Sequence, residues 1–160
     1  MTQTQVAGGA VGSRLPDFTL KLATKDGVSE FNLAANLGQG PLVFAFYPLA
    51  FTGVCTKEMC EIRDNLARFE GMGAKVFGFS TDTAPVNHEF AKLHNLNTGI
   101  LSDPNREVVG RIWQTMTVAG VHNVAKRGVL VAGPDGTVKW TSVSDDPKMW
   151  IGTDEVRKHL

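Results

Sequence analysis

Apolar and polar positions alternate with two different periods along this chain. Phe18-Thr19-Leu20-Lys21-Leu22 and Val28-Ser29-Glu30-Phe31 flank Asp26-Gly27, which predicts a β-hairpin. Pro41 opens Leu42-Val43-Phe44-Ala45-Phe46-Tyr47, an unbroken apolar run suited to a strand covered on both faces. Over residues 56–70 the period becomes helical. Met59, Ile62, Leu66 and Phe69 form one stripe, Lys57, Glu61, Asp64 and Arg68 lie away from it, and Gly71 and Gly73 stop it. Residues 75–80 read as a second short strand, and Pro85 suits the first turn of a helix over 85–94. A shorter helix is expected over 107–113. Val129-Leu130-Val131-Ala132 and Val138-Lys139-Trp140-Thr141, joined through Pro134-Asp135-Gly136, predict another hairpin before a closing helix over 153–160. Residues 1–13 are small, polar and Gly-rich and are expected to form a flexible leader, leaving 14–160 as one domain.

Two strand–helix alternations followed by a hairpin imply an α/β sandwich, a mixed β-sheet flanked by helices with an N-terminal β-hairpin. A thioredoxin-like arrangement fits that order. Such a fold does not by itself settle function.

Composition mainly excludes. A chain of 160 residues suits one domain with a full core. Lys plus Arg balance Asp plus Glu at 16 each, which removes the electrostatic case for nucleic acid or an anionic membrane as partner. No apolar run reaches membrane-spanning length and the first residues lack the features of a signal peptide, so a cytoplasmic location is expected. The two cysteines, Cys55 and Cys60, are too few for a disulfide scaffold. Their Cys-x4-Cys spacing has no second pair or His cluster to complete a metal site, and His88, His94, His122 and His159 do not stand at ligand spacing. No cofactor is implied.

The candidate chemistry lies in Pro48-Leu49-Ala50-Phe51-Thr52-Gly53-Val54-Cys55, between the apolar strand and the amphipathic helix. A cysteine in the first helical turn meets unsatisfied N–H groups and the positive end of the dipole, both of which favour a thiolate. An arbitrary cysteine is more often a small buried hydrophobe, but its place at a helix start favours a reactive thiol here. The Thr52 hydroxyl can turn over the same helix end, accepting from N–H groups as an N-cap or donating to a bound oxygen. Pro48 lacks an N–H and can screen the sulfur from water.

Pro48, Thr52 and Cys55 in the pattern Pro-x-x-x-Thr-x-x-Cys resemble the peroxidatic signature of the peroxiredoxins. The stretch from Phe46 to Cys55 is similar to the alkyl hydroperoxide reductase E and bacterioferritin comigratory protein (peroxiredoxin Q) branches. Val76 to Asp82, Leu101-Ser102-Asp103 and Lys126-Arg127-Gly128-Val129-Leu130-Val131 extend the resemblance, which spans residues 15–140. One departure is Gly133, where the family usually has Asp; it touches a turn and not the site.

The resemblance implies that Cys55 is the peroxidatic cysteine, reducing hydrogen peroxide or an alkyl hydroperoxide and becoming a sulfenic acid. It implies that Arg127 holds the thiolate and polarises the peroxide, Thr52 hydrogen-bonds the peroxide, and Pro48 shields the sulfur. Without it, Arg127 reads as a solvated arginine at a strand start. Glu58 matches an acidic position of the family and otherwise reads as a first-turn carboxylate favoured by the helix dipole; it is not counted in the site.

For Cys60, likeness to peroxiredoxin Q implies a resolving role through an intramolecular disulfide, reduced by a thioredoxin-like dithiol protein. Alkyl hydroperoxide reductase E enzymes need no second cysteine there, which leaves Cys60 either resolving or simply packed. On an intact helix the two Cα atoms stand about 8.6 Å apart, beyond the roughly 7 Å a disulfide tolerates, so the bond requires the helix start to unwind. Family resemblance suggests a monomer or homodimer. Two rivals remain. A thioredoxin-type oxidoreductase would want Cys-x-x-Cys, and a non-catalytic thioredoxin-fold interaction module leaves the conjunction of Pro48, Thr52, Cys55 and Arg127 to coincidence.

Overall fold

A computed structural model describes residues 7–160. Its central sheet has seven strands in the order β2-β1-β5-β4-β3-β8-β9. The innermost are β3 (Leu42–Phe46), β4 (Lys75–Ser80) and β5 (Gly99–Ser102), parallel to one another. The hairpin β1 (Thr19–Thr24) and β2 (Gly27–Asn32) adds antiparallel to β5, while β8 (Gly128–Ala132) and β9 (Val138–Val143) add antiparallel to β3. The sheet is therefore mixed, as expected. Strand β3 is buried at all five positions. Its alternate side chains feed two cores: Val43, Ala45 and Tyr47 pack toward α1 (Gly53–Glu70), α2 (Ala84–Leu93) and α4 (Thr153–Arg157), and Phe44 and Phe46 pack toward α3 (Val109–Ile112) on the opposite face. This explains why the run in the sequence is apolar without alternation.

Helix α1 buries Cys55, Met59, Ile62, Leu66 and Phe69, the stripe expected from its period, and Glu58 with them. On the other face Phe46 lies stacked between Trp113, at 4.1 Å, and Phe79, at 4.7 Å. Trp113 Nε1 donates to the Lys126 carbonyl at 2.8 Å and so fixes the residue before Arg127. Immediately after it, a Cβ on Gly128 would stand 2.0 Å from the Ser142 carbonyl oxygen. Only glycine lets β8 enter this close beside β9.

Several features depart from the sequence expectations. Strand β5, which lies between β1 and β4 in the sheet, was not anticipated, and the closing helix expected over 153–160 ends at Arg157. The strands β6 (Thr115–Val118) and β7 (Val121–Ala125) form a separate hairpin that was not anticipated. Its turn uses Ala119 and Gly120 at φ 52 and 78, so the left-handed position before the glycine carries none of the Asn or Asp residues that mark such turns. The helix expected over 107–113 shrinks to Val109–Ile112, and the N–H groups of Glu107 and Val108 before it and of Val109 at its start donate to the Asp103 carboxylate. Residues 7–13 are not free. Gly12 N–H donates to the Val138 carbonyl, and a Cβ on Gly9 would stand 1.8 Å from the Ile112 carbonyl oxygen, so this part of the expected leader is docked on the domain. The rest of that leader, residues 1–6, lies outside the described residues.

Candidate active site

Strand β3 delivers the chain to a short loop, residues 48–52, that is anchored before it enters α1. Tyr47 N–H donates to the Phe79 carbonyl, and the buried Tyr47 hydroxyl donates to Asn87 Oδ1 at 2.7 Å. Burial pushes this phenol well above its usual range, so it stays a neutral donor. Asn87 donates in turn to the Ser80 and Ser102 hydroxyls. Ser80 donates to Asp82 Oδ2, which also accepts the Ala50 N–H at 2.9 Å. Desolvation raises the Asp82 carboxyl above its ordinary value, against the pull of those two donors. One residue on, Phe51 is held at φ 63 with its half-exposed ring edge-on to Phe90. This polar network fixes where the loop turns into the helix.

Cys55 is the third residue of α1 and 1% exposed. Arg127, contributed by the residue preceding β8, is 2% exposed and uses all three guanidinium nitrogens. Nη2 donates to Cys55 Sγ at 2.9 Å, Nη1 to Glu58 Oε1 at 2.6 Å, and Nε to the Pro147 carbonyl at 2.8 Å. A cationic N–H donor at the helix start stabilises negative charge on the sulfur. Desolvation works against the Arg127 charge, but Glu58 and Cys55 more than offset it and hold the group above its ordinary value. Glu58 is fully buried, and its Oε2 has no hydrogen-bond partner among the described residues. Burial lifts its carboxyl from 4.5 to about 8 despite the adjacent Arg127. The centre therefore holds one permanent cation facing two groups that compete for it.

A cleft of 310 Å3 opens onto the sulfur, walled by Pro48, Val54, Val118 and Pro147, with Lys148 at its exposed edge. Pro48, Thr52, Cys55 and Arg127 all line it, so the structure brings together four of the five residues expected from the sequence. Thr52 occupies the N-cap position, but its hydroxyl makes no cap bond and donates instead to the Leu49 carbonyl at 2.8 Å. The expected cap, in which the Thr52 oxygen would accept a helix N–H, is not made. Its oxygen lone pairs remain able to accept from a ligand. Cys60 is not in the cleft. It is a free thiol like Cys55, half-buried, and packs on the same core cluster as Trp150 and Ile151.

Sequence reasoning passed over Glu58 as a site residue, and also missed the cleft walls from Val118 and Pro147. The sequence signal for Glu58 was its match to an acidic position of the resembled family, which its other reading, a first-turn carboxylate favoured by the helix dipole, outweighed. Nothing local marks Val118 or Pro147, which reach the site through the β6–β7 hairpin and the segment after β9.

A thioredoxin-like sheet with a buried thiol, a paired arginine and an open cleft defines a protein built for reaction at sulfur. Residues 11–141 match the AhpC/TSA family, and the chain belongs to it, among the peroxiredoxins. A Mycobacterium tuberculosis relative described as a peroxiredoxin is 41% identical over 131 residues, covering 79% of this chain and 80% of that one. The chloroplastic peroxiredoxin Q of rice (japonica) is 39% identical over 97 residues, 61% of this chain and 43% of that one. Among solved structures, peroxidoxin BcpB from M. tuberculosis is 29% identical with a TM-score of 0.75, covering 88% of this chain and 90% of that one. The protein is thus a thiol-dependent peroxidase with a thioredoxin-like fold. Among the described residues no helix is long and apolar enough to cross a membrane.

Proposed function

We propose that the protein reduces hydrogen peroxide and organic hydroperoxides at Cys55, resolves the product through Cys60, and is recycled by a thioredoxin-like dithiol reductant in the cytoplasm. The observation that carries this reading is the Arg127 Nη2 to Cys55 Sγ contact of 2.9 Å at the base of an open cleft. The Cys55 thiolate attacks the terminal peroxide oxygen. An S–O bond forms as the O–O bond breaks, sulfur is oxidised to sulfenic acid, and the alkoxide or hydroxide leaves and takes a proton from water. Arg127 stands where charge develops on that leaving oxygen. The Thr52 oxygen can accept the peroxide O–H, and Pro48 keeps competing water from the sulfur. A cleft walled by Pro48, Val54, Val118 and Pro147 suits an organic group on the peroxide.

In the second step Cys60 gives up its thiol proton and attacks the Cys55 sulfur; the S–S bond forms as the S–O bond breaks, and the hydroxide leaves as water with that proton. The Cys-x4-Cys spacing shared with peroxiredoxin Q enzymes supports this assignment. The packing of Cys60 on the core favours the second reading, a one-cysteine peroxidase in which Cys60 is structural. Mass spectrometry after one equivalent of peroxide separates the two. Resolution predicts loss of two hydrogens in the wild type and a sulfenic or overoxidised Cys55 in Cys60→Ser. The same product in both proteins refutes the resolving role. No reaction of Cys55 beyond that of a free thiol in stopped-flow mixing refutes the peroxidase itself.

A further inference from the structure

Glu61 follows Cys60 directly and was expected to face solvent with the other polar residues of α1. The structure instead makes it the fastening point of a distant segment. Its Oε2 accepts from Trp150 Nε1 at 2.9 Å, and its Oε1 accepts from the Thr153 backbone N–H at 2.7 Å and the Thr153 hydroxyl at 3.0 Å. Gly152, the N-cap of α4, has no side chain to cap that helix, so Glu61 does so from across the fold. Thr153 and Val156 are each 2% exposed, and Trp150 and Ile151 pack on the core cluster that also receives Cys60. The far end of the same segment is tied to the reaction centre, because the Pro147 carbonyl accepts from Arg127 Nε. Residues 147–153 thus form a strap fixed at one end to the catalytic arginine and at the other to the neighbour of Cys60.

This placement bears on the disulfide. An intact helix holds Cα atoms five residues apart at about 8.6 Å, too far for a disulfide. Closing it means unwinding the turn between Cys55 and Cys60. In a regular helix the N–H of residue 61 donates to the carbonyl of residue 57, so that unwinding also frees the backbone of Glu61. Three donors on its carboxylate oppose the movement.

We infer that Glu61 is a positioning residue for the resolving step, a latch whose three bonds to Trp150 and Thr153 hold the turn bearing Cys60 in helix and slow its approach to Cys55. The inference rests on the reading that Cys60 resolves. The chemistry is unchanged: the Cys60 sulfur is oxidised, the Cys55 sulfenic sulfur is reduced, and water leaves. The latch sets how long the sulfenic acid lives before that happens, and hence how exposed it is to a second peroxide that would make the sulfinic acid.

The test follows disulfide and sulfenic acid by mass spectrometry, with a sulfenic trap, after one equivalent of hydrogen peroxide. It compares the wild type with Glu61→Gln and Trp150→Phe. Gln removes the charge and halves the strength of the remaining contacts, so the ratio of disulfide to trapped sulfenic acid is expected to rise about ten-fold. Phe keeps the ring packing but deletes one bond, for a rise of about three-fold; it also serves if Glu61→Gln does not fold. Sulfinic Cys55 at high peroxide should fall in step, which loss of fold alone would not produce. An unchanged or lower ratio in the folded variants overturns the latch. Absence of disulfide in all three proteins, with Cys55 oxidised, overturns the resolving role of Cys60 and the latch with it.

Discussion

Replacing Glu58 with Gln tests the electrostatics of the centre most directly. Glu58 is wholly buried, and among the described residues its side chain bonds Arg127 Nη1 at 2.6 Å. Burial lifts its carboxyl from 4.5 to about 8. An acid whose pKa is higher folded than unfolded binds more protons in the folded state between those values. Its contribution to stability is therefore fully present below about 4.5 and is lost as pH rises through about 8. The amide of Gln has the same shape and does not titrate. Across that window the wild type should lose roughly 3–5 kcal/mol relative to Glu58→Gln, from a shift of a few pH units at about 1.4 kcal/mol each. Urea unfolding of both proteins at intervals from pH 5 to pH 9 measures the difference, with Cys55→Ser in both so that the sulfur does not enter the comparison. A difference that stays flat, or that moves in favour of the wild type as pH rises, refutes the reasoning.

Two further outcomes follow from the geometry. Arg127→Lys should slow oxidation of Cys55 by about 100- to 1,000-fold in stopped-flow mixing, because one ammonium cannot replace a planar fork shared among Cys55, Glu58 and Pro147; a loss within three-fold contradicts this. Tyr47→Phe removes the donor to Asn87 Oδ1 in a fully buried network and should lower unfolding stability by about 1–3 kcal/mol, whereas an unchanged urea midpoint would mean the network does not anchor the loop.

Much of this centre was legible along the chain because its signals are local. The shift from an unbroken apolar run to a 3.6-residue period places a strand-to-helix junction, and Cys55 then falls in the first turn by counting alone. Thr52 and Pro48 stand three and seven positions before Cys55 and inherit their place from the same junction. Even so, the Thr52 oxygen accepts no helix N–H and its hydroxyl donates to the Leu49 carbonyl, because the path of the loop through Phe51 sets where the side chain can reach. Arg127 was identified only through resemblance to a family. Its sequence surroundings suit a solvated strand start, and nothing in them shows that Trp113 and Gly128 press the strand into a position where the guanidinium is enclosed.

The polar residues of α1 make the distinction plainest. Glu58 and Glu61 look alike in the sequence, two carboxylates on one amphipathic helix. Glu58 ends beneath the sulfur, paired to an arginine 69 residues away, and Glu61 fastens Trp150 and Thr153, up to 92 residues away. By itself the sequence determined the alternation of elements, the stripe that buries Cys55 and the helix start that favours its anion. Each depends on short-range periodicity and backbone geometry. Tertiary structure alone decided which charges face each other, what walls the cleft and which segment Glu61 fastens. Those depend on which distant segments are brought within hydrogen-bond range, and no spacing along the chain encodes that distance.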